Sequence, residues 1–146
     1  MTEPNSTLPR PAILLLIEDN PSDVELTRQG LIEGRIPHKL IVARDGRQAL
    51  YYLRRRRAEG QRLPDLIMLD LDLPGYNGAE LLGYLRKHRQ LHTIPIVIFT
   101  SSDVDRDLLT AYQLPADSYI RKPVEFDSFL ETVIGLGSRG LAPRRS

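Results

Sequence analysis

The stretch DLIMLDLDLPGYNG, residues 65–78, decides the fold. Positions 66–69 are apolar without interruption, Asp70 and Asp72 follow, and Pro74-Gly75 then turns the chain. Successive side chains of a strand point to opposite faces, so a short run that is apolar at every position fits a strand covered on both sides, which is the mark of a parallel sheet. Runs of the same kind recur at 12–17, 40–43 and 96–99, and more weakly at 118–121. Between them lie segments of helical period. Asn20-Pro21-Ser22-Asp23 offers an N-cap, a proline at the first helical position and an acid at the third, ahead of a stripe of Val24, Leu31 and Ile32. Asp45 with Gln48 repeats the capping pattern before Ala49, Leu50 and Leu53, and Asn77 can cap the helix bearing Leu81, Leu82 and Leu85. Ser102 can cap the next helix, with Val104, Leu108, Ala111 and Tyr112. The last helix carries Phe126, Phe129, Leu130, Val133 and Ile134 at i, i+3, i+4, i+7 and i+8. Strand and helix alternate five times, which predicts an α/β fold with a doubly wound, five-stranded parallel sheet.

Composition narrows the chemistry. The 146 residues are the length of one domain, expected over 11–136, with flexible tails at 1–10 and 137–146. Lys and Arg number 20 against 19 Asp and Glu, so no overall field points to nucleic acid or to a membrane surface. Cysteine is absent, which removes disulfides, thiolate metal sites and a thiol nucleophile. The longest apolar run, 12–17, is far short of the roughly 20 residues a membrane helix needs, and a cytoplasmic domain is expected.

Right-handed crossovers bring the C-terminal ends of parallel strands to one edge, where ligands of such folds bind. The ends here are polar: Glu18-Asp19 after the first strand, Asp70 after the third, Thr100-Ser101 after the fourth and Lys122 after the fifth. Carboxylates gathered at one edge repel by about 4 kcal/mol per pair at 4 Å and an effective dielectric near 20, so a cation belongs among them. An all-oxygen donor set favours a hard ion such as Mg²⁺. A metal, a lysine and a hydroxyl around one carboxylate are the parts of a phosphoryl-transfer site with Asp70 as nucleophile. Taken singly, each feature has a plainer reading: Asp70 as a turn residue, Glu18-Asp19 as a helix cap, Lys122-Pro123 as a strand exit. Their convergence favours the site. His38, His88 and His92 read as solvated. Arg54 to Arg57 read as the exposed end of the second helix, a face that can also dock a partner, and Tyr51-Tyr52 as part packing and part surface.

Glu18-Asp19, Asp70 with Pro74 four residues on, Thr100 and Lys122-Pro123 together resemble the signature of the receiver domain of two-component response regulators, over about residues 11–136. The phrases IEDNPSDVELT, ARDGRQAL and LDLDLP are similar to those of stand-alone regulators that serve phytochrome-type sensor histidine kinases. The resemblance implies the flavodoxin-like strand order 2-1-3-4-5 and a phosphoryl group accepted by Asp70 from a kinase phosphohistidine. It implies Mg²⁺ held by Asp19, Asp70 and the backbone carbonyl of Asp72, with Glu18 acting through a water. It further implies Lys122 on the phosphoryl oxygens, a cis bond before Pro123, and a switch in which Thr100 moves toward the phosphoryl group and Tyr119 follows. Two residues depart from the pattern: Asp72 where Asn is frequent, and Pro115 where Gly is common. The first bears on phosphoryl lifetime, the second on the shape of the signalling face. No DNA-binding segment is expected after residue 136, so output is expected through protein contacts or competition for phosphate. A homodimer is expected through the fourth helix, fifth strand and fifth helix, with Leu109, Tyr112 and Leu136 on its face. Two other readings stay open. Asp70-Leu71-Asp72 also resembles the motif of haloacid-dehalogenase-type phosphatases, in which Asp72 would be a general acid/base, although there the acidic pair comes late in the chain. The fold could also serve as a binding module that never takes phosphate.

Overall fold

The computed structural model describes residues 11–71, 78–100, 118–122 and 125–136. Within them lie five strands, β1 (Ala12–Ile17), β2 (His38–Ala43), β3 (Leu66–Asp70), β4 (Ile96–Thr100) and β5 (Ser118–Arg121). All neighbouring pairs are parallel, as the alternation of runs and helices predicts, and the order is β2-β1-β3-β4-β5, as the receiver-domain resemblance implies. The helices are α1 (Pro21–Glu33), α2 (Gly46–Ala58), α3 (Gly78–Lys87) and a C-terminal helix (Phe126–Leu136). The Pro74-Gly75 turn, the Asn77 cap, the helix expected after Ser102 and both tails lie outside the described residues, as do Asp72, Leu109, Tyr112, Pro115, Pro123 and the side chain of Leu136.

Every residue of β1, β3 and β4 is buried, because helices cover both faces of the sheet. Leu15, Ile17, Ile67, Leu69, Ile96 and Ile98 meet Leu53 of α2 and Leu81, Leu82 and Leu85 of α3. Their alternates, Leu14, Leu16, Met68, Val97 and Phe99, meet Leu31 of α1 and Phe129 and Val133 of the C-terminal helix. Each such side chain removed from water contributes roughly 1.5–3 kcal/mol, so the apolar runs determine both the strands and the layers.

The expected caps are present. Asn20 Oδ1 accepts from the Ser22 and Asp23 N–H groups at 2.8 and 3.3 Å. Asp45 Oδ1 accepts from the Gln48 N–H at 2.8 Å, while Gln48 Oε1 accepts from the Arg44 N–H at 2.8 Å. Two expectations need correction. Ile32 is 62% exposed, since it lies about a quarter-turn from the Val24–Leu31 line on a helix of 3.6 residues per turn. His38 is not a solvated loop residue. It opens β2 half-buried, paired with Ala12, with its Nδ1 2.7 Å from the Ile36 carbonyl. At the end of α1 the left-handed residue is Arg35, at φ 58°, rather than Gly34, where a side chain would run into Leu130.

Candidate functional site

Backbone ladders carry the sheet one residue past its strands and thereby fix the polar ends. The Glu18 N–H donates to the Ala43 carbonyl at 2.9 Å, the Leu71 N–H to Phe99 at 2.9 Å and the Lys122 N–H to Thr100 at 2.9 Å. Strand alternation then sorts the side chains. Glu18, Asp70 and Lys122 continue the face packed on α1, following Leu16, Met68 and Ile120. Thr100 continues the opposite face, following Ile98, beside the half-buried Tyr119 that pairs with Ile98 and packs against the α2 and α3 cluster. The site therefore meets its two expected switch residues across the edge of the sheet.

One carboxylate oxygen from each of Glu18, Asp19 and Asp70 lies within 4.8 Å of the others. Glu18 and Asp70 are 4% and 2% exposed, so water does little to screen them. Lys122 Nζ donates to Asp70 Oδ2 at 2.8 Å and stands 3.9 Å from Glu18 and 3.8 Å from Asp23. Burial, reinforced by the hydrogen bond and charge of Asp70, pushes the Glu18 carboxyl up to about 8, against the pull of Lys122 and of the Asn20 N–H that donates to it at 3.3 Å. Burial pulls the Lys122 ammonium down, but the hydrogen bond and charge of Asp70, with the charges of Glu18 and Asp23, outweigh it and the net shift is upward. One ammonium facing several acids leaves negative charge in excess, which favours the protonated form of Glu18. A divalent cation is the alternative remedy, and the donors fit one: hard oxygens, two of the residues buried, and no competing thiol or imidazole within the group.

Sequence reasoning placed Glu18, Asp19, Asp70, Thr100 and Lys122 at this edge, and the structure brings them there. It missed Asp23. An acid at the third position of α1 reads as a partner of the helix dipole, and nothing in its spacing reveals that the same carboxylate also faces the end of β5. Beside Lys122 a cavity of about 310 Å³ opens between α1 and the sheet, floored by Leu16, Phe99 and Phe129.

Known proteins align with this arrangement. A family profile described as response regulator receiver domain matches residues 14–134. The chain is 37% identical over 123 residues to the probable methanogenesis regulatory protein FilR2 of Methanothrix harundinacea, covering 84% of this chain and 79% of that protein. It is 33% identical over 129 residues to response regulator Rcp1 of Synechocystis sp., covering 88% of each. A Mn²⁺-bound crystal structure of Rcp1 superposes with a TM-score of 0.72 at 32% identity, covering 92% of this chain and 98% of that one. The bacteriophytochrome response regulator RtBRR superposes with a TM-score of 0.77 at 42% identity, covering 87% of this chain and 78% of that one. Among the described residues no helix is long and apolar enough to cross a membrane.

Proposed function

The chain belongs to the response regulator receiver domain family, the phosphoacceptor module of two-component signalling rather than a haloacid-dehalogenase-type phosphatase, and on that premise we propose that Asp70 is the residue phosphorylated. The observation that carries this is Lys122 Nζ, 2.8 Å from Asp70 Oδ2, inside a group of three carboxylates at one sheet edge. An Asp70 oxygen attacks the phosphorus of a phosphohistidine. The P–N bond breaks as the P–O bond forms, and the imidazole leaves with the electron pair. Lys122 meets the charge of the phosphoryl oxygens, and Thr100, buried at the end of β4, offers its hydroxyl to them. Mg²⁺, held by Asp19, Asp70 and the Asp72 carbonyl with Glu18 behind a water, would neutralise the phosphoryl charge when bound. Glu18, whose protonated form burial favours, would take its place behind the water as a carboxylate.

The likeness to a bacteriophytochrome response regulator supports a phytochrome-type sensor histidine kinase as donor, and the reading carries with it the cytoplasm as location and 11–136 as the domain. A homodimer about the Leu109, Tyr112 and Leu136 face is the corresponding output proposal. Light scattering at tens of micromolar checks it, and a monomer mass for the phosphorylated chain rejects it. Phosphorylation is tested by incubation with Mg²⁺ and a small phosphodonor followed by intact-mass measurement. The chain is expected to gain one phosphoryl group, and Asp70→Asn to gain none while keeping its circular dichroism. Undiminished labelling of that variant overturns the assignment.

A further inference from the structure

Helices of a parallel sheet run back against the strands, so α2 and α3 end at the edge opposite the carboxylates. Residues 54–62 and 86–92 meet there and hold eight Arg and Lys against one acid, which leaves the rest of the chain net acidic. Some of this charge answers the helix dipoles, each worth about half an elementary charge, and Arg55 pairs with Glu59 at 2.8 Å. Among the described residues Arg54, Arg57, Lys87 and Arg89 have no carboxylate within 4.0 Å. The guanidinia are also held in place. Arg54 lies over the Tyr84 ring at 5.8 Å, Arg55 over Tyr51 at 5.7 Å and Arg56 over Tyr52 at 5.7 Å.

His88 adds a ring donor to the same patch. His88 Nδ1 is 3.1 Å from the Gln90 N–H, and its Nε2 is 3.1 Å from Arg57 Nη1. A neutral imidazole accepts at only one nitrogen. In either tautomer one ring N–H therefore faces another donor, so the ring adds no acceptor that competes with an incoming carboxylate at both nitrogens.

We propose that the joined ends of α2 and α3 form a docking surface for a short acidic segment of a partner protein, whose carboxylates are taken by Arg54, Arg57, Lys87 and Arg89. A long polyanion fits less well. One face of each of Tyr51, Tyr52 and Tyr84 already carries a guanidinium of the chain's own, and the rest of the chain is net acidic. Since the patch lies across the sheet from Asp70, binding is expected to be the same with and without Mg²⁺.

The test uses the full chain and a fluorescein-labelled hexaglutamate peptide in about 50 mM salt, where exposed charges are weakly screened. Anisotropy is expected to show binding that weakens more than about tenfold in Arg54→Glu/Arg57→Glu, the loss of two charge-assisted contacts. The equally charged control Arg28→Glu/Arg47→Glu, on other parts of the surface, is expected to change it less than about threefold. Lys87→Glu/Arg89→Glu repeats the test from the second element should the first variant fail to fold. No binding by the native chain, equal weakening in the control, or tighter binding of a labelled DNA duplex through the same residues overturns the proposal.

Discussion

The two edges of the sheet hold charge in opposite ways. At the C-terminal edge Glu18 and Asp70 are almost fully buried, and Lys122 is the cation within hydrogen-bonding distance of Asp70 among the described residues. At the other edge the arginines of α2 are mostly exposed and lean on tyrosine rings. Burying like charges together raises the free energy of the folded state, a cost that a bound cation would offset. Exposed charge raises it little and contributes little to stability, so its effect falls on recognition and on-rate. The same residue types therefore suit chemistry at one edge and docking at the other.

The largest effect that sharpens this contrast is expected from Lys122→Met. Asp70 would stay 2% exposed without its 2.8 Å partner. Removing one member of a buried pair costs about 3–5 kcal/mol, and the 22% exposure of Lys122 places the expected loss near the lower figure. Urea unfolding at pH 8 with chelator present measures it. Saturating Mg²⁺ is expected to restore part of the loss, whereas an unchanged midpoint would show the acids to be solvated and the two edges alike.

The pH dependence of the metal-free chain comes next in size. Glu18 has a folded pKa of about 8 against an ordinary 4.5. Between those values the folded state holds a proton that the unfolded chain has released, so stability falls as pH rises through that window and levels off above about 8. Lys122, shifted upward, stays an ammonium throughout and adds no slope there. Thermal melts across the window are expected to show a falling Tm with chelator and a flatter profile with Mg²⁺, since the metal displaces the proton. In Glu18→Gln the metal-free slope should shrink, and a slope unchanged by that substitution would place its origin elsewhere.

The legibility of the sequence follows the same division. Glu18, Asp70 and Thr100 could be placed because each follows a run whose burial fixes a strand, and Lys122 because it follows the weaker run 118–121 in a sheet whose parallel strands share an edge. Asp23 could not, since its second role depends on how closely α1 approaches the end of β5. His38 was misplaced because β2, which among the described residues pairs with β1 alone, need not be apolar throughout. Ile32 followed composition rather than angle. The basic pole was visible in part as Arg54 to Arg57. Its other half, Lys87, His88 and Arg89, lies some 30 residues on, and only the packing of α2 beside α3 joins them.

The smallest expected effect is at that pole, where Arg54→Gln/Arg57→Gln should change unfolding stability by no more than about 0.5 kcal/mol in either direction. Two small terms oppose each other. Losing Arg57 from the last turn of α2 forfeits a favourable dipole contact of about 0.3–1 kcal/mol, and losing Arg54 forfeits the cation–π contact with Tyr84 of about 0.5–1 kcal/mol. Against these, both substitutions relieve repulsion within a cluster that includes Lys87 and Arg89, and relief at Arg57 extends to the His88 ring, whose pKa burial and the two arginine charges lower. Raising salt should narrow the difference between variant and native chain, because both the repulsion and the dipole contact are screened. Urea midpoints at about 0.05 and 0.5 M salt measure both quantities. A loss above about 2 kcal/mol that persists at high salt would make these arginines part of the fold, and the contrast between a buried edge built for chemistry and an exposed edge built for contact would fail.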